Sequence, residues 1–109
     1  MDKVIVLIRR KDRIDYILNG VCTYYGITLD ELKNSWRHRK TFNRKRYAIK
    51  LLRDVADCSL KETTWALDSK SPANIWYLYD GLTYDMDNDT TKGKAYKREY
   101  ADLLKFMNL

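Results

Sequence analysis

The chain has 109 residues, 45% of them hydrophobic and 33% charged, which suits one packed domain and argues against disorder along its whole length. Its 21 Lys+Arg against 15 Asp+Glu give a formal charge of +6. The longest apolar run, residues 4–8, is far short of the ~20 residues a membrane helix requires. It lacks a small-residue cleavage site and is followed by Arg9, Arg10 and Lys11, so it does not read as a secretory signal. Two cysteines, Cys22 and Cys58, make no disulfide framework, and the single His38 makes no metal cluster with them. A reducing cytoplasm is expected, with both thiols buried as small apolar groups. No metal, cofactor or membrane partner is expected.

Residues 1–10 read as an N-terminal arm or helix extension, in which 4–8 could also be a short strand or a contact with another chain. Residues 11–109 read as a single helical domain. The first helix carries Ile14, Ile17, Leu18, Val21, Cys22 and Tyr25 as one apolar stripe at helical spacing, and Gly26 ends it as a C-cap. Thr28 and Glu31 form a capping box for a short second helix with Leu29 and Leu32 inward. A third helix over about 43–56 turns Ala48, Leu51, Leu52 and Val55 inward, leaving Lys45, Arg46, Lys50 and Arg53 on its outer face. Ser59 and Glu62 repeat the capping box before a compact helix through Leu60, Thr63, Ala66 and Leu67. Ser71-Pro72 is an N-cap followed by proline at the first helical position, opening a helix with Ile75, Leu78, Tyr79 and Leu82 inward. A polar loop is predicted over 83–94. A last helix then places Tyr96, Tyr100, Leu103, Leu104 and Met107 on one face. The fold class is all-α, a compact bundle of about six helices, and 59–67 with 71–82 pair as a helix-turn-helix.

The charge is unevenly spread. Residues 1–53 carry +9 and residues 54–109 carry −3. Between Leu32 and Arg53 stand nine basic side chains and no acid: Lys33, Arg37, Arg39, Lys40, Arg44, Lys45, Arg46, Lys50 and Arg53. Such cations repel one another by roughly a kilocalorie per mole per close pair in water, and a phosphate backbone converts that repulsion into affinity through counterion release. Trp36, Phe42 and Tyr47 interleave with them; Trp36 and Phe42 fit core packing better than base stacking. His38, between Arg37 and Arg39, suits a backbone contact better than catalysis. On the second helix of the pair, Ser71, Ala73, Asn74 and Tyr77 face outward beside Lys70. Asn pairs bidentately with adenine, small residues let a helix approach the major groove, and Lys suits a phosphate. The acidic stretch 85–89 resembles the start of a calcium loop but has Thr90 at the glycine position and Tyr96 at the closing glutamate, so the match fails. No nucleophile–base pair, Gly-rich phosphate loop or paired carboxylates support an enzyme.

From Val21 to Leu82 the sequence resembles the C-terminal DNA-binding domain of the bacterial replication initiator DnaA, a trp-repressor-like helix-turn-helix. Tyr24-Tyr25-Gly26-Ile27 is similar to the family's Tyr-Tyr-x-Ile and is followed by Asp30-Glu31-Leu32. Arg37-x-Arg39 falls in its arginine-rich loop, Lys45 at the start of its Arg-Gln-x-Ala helix, and Ser59-Leu60-x-Glu62 on its Ser-Leu-x-Glu/Gln opening. The final helix is similar to the family's last helix after a slightly longer loop. The departures fall on readout. The family's Asp-His-Ser/Thr-Thr is Ser71, Pro72, Ala73 and Asn74 here, its turn glycines are Asp68 and Ser69, and its isoleucine in the first helix of the pair is Thr63. The resemblance implies binding to double-stranded DNA with altered or lost base readout, in replication control or transcription regulation, in a nucleoid-associated cytoplasmic protein. It places Ala73, Asn74 and Tyr77 nearest the bases, Arg37 and Arg39 in the minor groove, and Lys45, Arg46, Lys50 and Lys70 at the phosphates, with Lys40 and Ser71 also among the DNA-binding residues. No nucleotide-binding module accompanies it. The alternative is a protein–protein adaptor that keeps the fold without specific DNA binding, with a partner or second copy meeting the apolar segment 4–8. A third option is RNA binding by the basic-aromatic segment.

Overall fold

The computed structural model describes the backbone of residues 10–34 and 39–109 and the side chains of 12–34 and 43–109. The expected arm at 4–8, together with Trp36, Phe42 and His38, lies outside the described side chains. Among the described residues there are six helices and no strand: α1 (Arg10–Tyr25), α2 (Leu29–Lys33), α3 (Arg39–Asp54), α4 (Leu60–Ala66), α5 (Pro72–Asp87) and α6 (Thr91–Phe106). The all-α bundle expected from helical periodicity is present.

Helix starts follow local chemistry. Thr28 and Ser59 each accept a hydrogen bond from the backbone N–H three residues on, while Glu31 and Glu62 accept from the cap's own N–H, closing both capping boxes. Ser71 caps α5 by accepting from the Asn74 N–H at 3.2 Å, with Pro72 in the first turn. Gly26 terminates α1 at φ +66°, a left-handed conformation that side chains disfavour.

Helix α3 is the axis of the bundle, packed against α1, α2, α4 and α5, while α6 closes the far side on α5 and α1. The core runs from Ile17, Leu18 and Val21 of α1 through Leu32, Ala48, Ile49, Leu51 and Leu52 to Ile75, Leu78, Leu82 and Leu103. The radius of gyration, 13.0 Å, is that of a packed chain of this length.

Several expectations are corrected. No polar loop spans 83–94: α5 continues to Asp87 because Leu82 and Met86 extend its buried stripe by one further turn, and Thr90, the last of three linking residues, caps α6. Helix α3 begins at Arg39, four residues before its expected start. Leu29 is 36% exposed rather than inward, and Leu32 is the residue that anchors α2 in the core. Cys58 is buried as expected, whereas Cys22 is only half-buried. Lys45 and Arg46 do not occupy an outer face. They are buried, and Lys50 and Arg53 are half-buried, because a helix packed on four neighbours has little outer face to offer.

Candidate nucleic-acid interface

Helix α4, the turn 67–71 and the start of α5 form the expected helix-turn-helix. Inside α4, Thr63 and Thr64 are buried, and each hydroxyl donates to the carbonyl four residues back, at 2.9 Å (Ser59) and 2.7 Å (Leu60), so neither polar group is stranded. The turn is fixed by the Ser69 N–H donating to the Thr64 carbonyl at 2.9 Å and by Asp68 at φ +52°. Asp68 thus takes the left-handed conformation that a glycine would take, as aspartate tolerates better than most residues. Its carboxylate meets Lys33 Nζ at 2.9 Å, tying the turn to α2.

The turn and its caps orient the first turns of α5 outward. Lys70, Ser71, Ala73, Asn74 and Tyr77 are all exposed, and Tyr77 is 75% accessible. Ile75 and Leu78 hold the opposite face in the core. Five of the expected contact residues are therefore brought together on one surface. The Ser71 hydroxyl already serves the cap, so its role in this structure is that of a capping group.

The expected α3 cations are used differently. Lys45, 5% exposed, donates from Nζ to the Lys33 carbonyl at 3.0 Å, and burial holds its ammonium below the ordinary lysine range. Arg46, 7% exposed, meets Asp85 at 2.8 Å and Asn43 at 3.3 Å and lies over the Tyr96 ring. Lys50 bridges Asp54 at 2.9 Å and Thr83 at 3.3 Å and faces the rings of Tyr79 and Tyr100. These three bind α3 to α2, α5 and α6. Among the basic positions of the expected interface, Arg39 and Lys40 stand in the first turn of α3 with side chains outside the described residues, and Arg37 lies wholly outside them.

Electrostatics confine the surface. Residues 71–91 contain no Lys or Arg and carry Asp80, Asp85, Asp87 and Asp89. A phosphate backbone would be repelled along the C-terminal half of α5, so among the described residues of this pair of helices the end near Lys70 and Lys61 suits a polyanion better. Sequence reasoning missed two residues at that end. Trp65 is 81% accessible, and Lys61 stands one helical turn before it on the same exposed side of α4. The periodicity of Leu60, Thr63, Thr64 and Leu67 turns both outward, a signal present in the sequence once Thr64 rather than Ala66 is read as buried. Further along α5, the exposed Trp76, Tyr77 and Tyr84 form an aromatic surface, and Tyr77 and Tyr84 share a groove with Asp80, Gly81 and Asp85.

No family model, curated protein or solved structure matches this chain, so the residues and their geometry carry the functional reading.

Proposed function

We propose that the chain is a double-stranded DNA-binding helix-turn-helix domain, a binding module rather than an enzyme, acting in replication control or transcription regulation. The observation that carries this reading is the exposed N-terminal end of α5, where Lys70, Ala73, Asn74 and Tyr77 project from a helix capped by Ser71 and backed by α4. Asn74 offers the bidentate amide that reads adenine, Ala73 permits close approach to the groove floor, and Lys70 with Lys61 meets phosphate. Arg37, Arg39 and Lys40 extend the contact toward the minor groove and backbone, as the DnaA resemblance implies. The test is a fluorescence-anisotropy titration with short mixed-sequence duplex DNA, followed by selection from a random duplex library. Affinity is expected to fall by orders of magnitude between about 50 and about 200 mM salt. Lys70→Ala should lower the salt slope by about one contact, and Asn74→Ala should relax the selected consensus at one position. Undetectable or salt-independent binding would overturn the proposal.

A second reading, a protein–protein adaptor, is favoured by one feature: the exposed aromatic and acidic surface of Trp76, Tyr77, Asp80 and Tyr84. Tyrosine and tryptophan are enriched at protein interfaces. Charge reversal at Asp80 with intact duplex affinity would separate this surface from the DNA-facing end.

A further inference from the structure

Between α4 and the start of α5 lies a shallow, mainly apolar groove of about 530 Å³, with Trp65, Pro72 and Ser69 along it and Lys61 and Lys70 at its edges. Trp65 is the most exposed large hydrophobic side chain among the described residues, 81% accessible near the end of α4, whereas Leu60 is half-buried and the C-cap Leu67 is buried. Its indole does not contribute to the core, so the fold gives no reason for so large an apolar group here. Glu62 is the groove's one acidic residue, and its carboxylate is drawn back onto the Ser59 N–H at 2.9 Å. The groove's lining thus combines an exposed indole with two lysines.

We infer that Trp65, flanked by Lys61 and Lys70, is a stacking site for an unpaired nucleobase, so that this end of the domain takes single-stranded as well as duplex nucleic acid. A pocket for a peptide's apolar side chain would enclose its ligand; a ring standing clear of the surface instead offers its face to a planar partner. Every base has a π-face, and the phosphates on either side of a stacked base are the anions that two flanking lysines fit. The inference rests on the nucleic-acid reading only in taking nucleic acid as the partner, since Asn74 and Ala73 are not used.

The test is fluorescence anisotropy of a dye-labelled short oligo-dT strand titrated with the full chain and its Trp65→Ala and Trp65→Phe variants, each checked by circular dichroism, with quenching of tryptophan fluorescence followed in the parent chain. Because Trp65 is exposed, both variants keep the fold. Oligo-dT should quench the parent chain, Trp65→Ala should weaken affinity about 5- to 150-fold, and Trp65→Phe should retain most of it. Raising salt should weaken binding with a slope of about −0.7 per phosphate contact. Duplex binding without oligo-dT binding, or oligo-dT affinity unchanged in Trp65→Ala, would overturn the stacking site while leaving the duplex reading standing. Oligo-dT binding without duplex binding would do the reverse. A short acidic peptide bearing one phenylalanine, if it binds while oligo-dT does not, would assign the groove to a protein partner and overturn the inference.

Discussion

At the scale of single residues, a cation that packing will bury looks no different in sequence from one that it will not. Lys45 and Arg46 lie in the same acid-poor stretch as Arg39 and Lys40, yet they are buried and bound to Lys33, Asn43 and Asp85. Nothing local to α3 announces this, because Asp85 is 39 residues away from Arg46. Tyr47 beside them shows a cost of the same crowding. Its ring is 1% exposed and packs near Tyr100, with centroids 6.2 Å apart, while its hydroxyl is buried without a hydrogen-bond partner among the described residues. An orphaned buried hydroxyl costs about 1–3 kcal/mol, and phenylalanine would keep the ring and remove the orphan. Tyr47→Phe is therefore expected to raise stability by about 1 kcal/mol, read as a higher urea midpoint at unchanged slope. A loss of stability would show that the hydroxyl has a partner worth more than its desolvation.

At the scale of elements, what sequence reveals is what closes within one turn of helix. Both capping boxes, the Ser71 cap, the Gly26 terminator and the apolar stripes of α1, α5 and α6 are local patterns, and each was legible. The loop read at 83–94 was not legible as helix, because Asp, Asn and Thr are the vocabulary of loops as well as of helix ends. Only the burial of Leu82 and Met86 decides between them, and that burial depends on where α3 and α6 lie. The interface divides in the same way. The outward face of α5 followed from its spacing, whereas the inward fate of the α3 cations depended on packing over distant elements.

Two glycines test this packing with opposite signs. A Cβ at Gly93 would fall under 3.0 Å from the carbonyl oxygens of Asp85 and Asn88, where the first turn of α6 crosses the end of α5. Backbone carbonyls cannot swing aside, so Gly93→Ala is expected to cost about 1–3 kcal/mol as overpacking, despite alanine's better helix propensity. A Cβ at Gly81, in the middle of α5, meets nothing within 4 Å. Gly81→Ala should then gain up to about 1 kcal/mol from propensity alone. Thermal or urea unfolding of the two variants reads both signs. Equal effects would mean that the close approach of α6 to α5 is not present in solution.

At the scale of the whole molecule, the 21 Lys+Arg overstate the cations available to a partner, because Lys45, Arg46 and Lys50 hold helices together, the last two against Asp85 and Asp54. The same interior fixes how stability responds to alkali. Tyr25, Tyr47 and Tyr100 are all pushed above the ordinary phenol value, chiefly by burial. In Tyr25 a hydrogen bond to Glu99 adds to it, in Tyr47 the charge of Glu99, and in Tyr100 the charge of Asp54. In the unfolded chain these phenols ionise near pH ~10. Above that pH the unfolded state releases protons that the fold retains, so folding stability must fall as pH rises. Lys45 works the other way. Its pKa is lowered by burial, so between that lowered value and about 10.4 the unfolded chain binds the proton more tightly, and stability from this group rises with pH. Three phenols outweigh one ammonium. The urea midpoint is thus expected to hold steady through neutrality and to decline once pH passes about 10, with tyrosinate absorbance rising together with the loss of helix. A midpoint that instead stays level past that pH would mean that the three phenols ionise as freely in the folded state as in the unfolded chain.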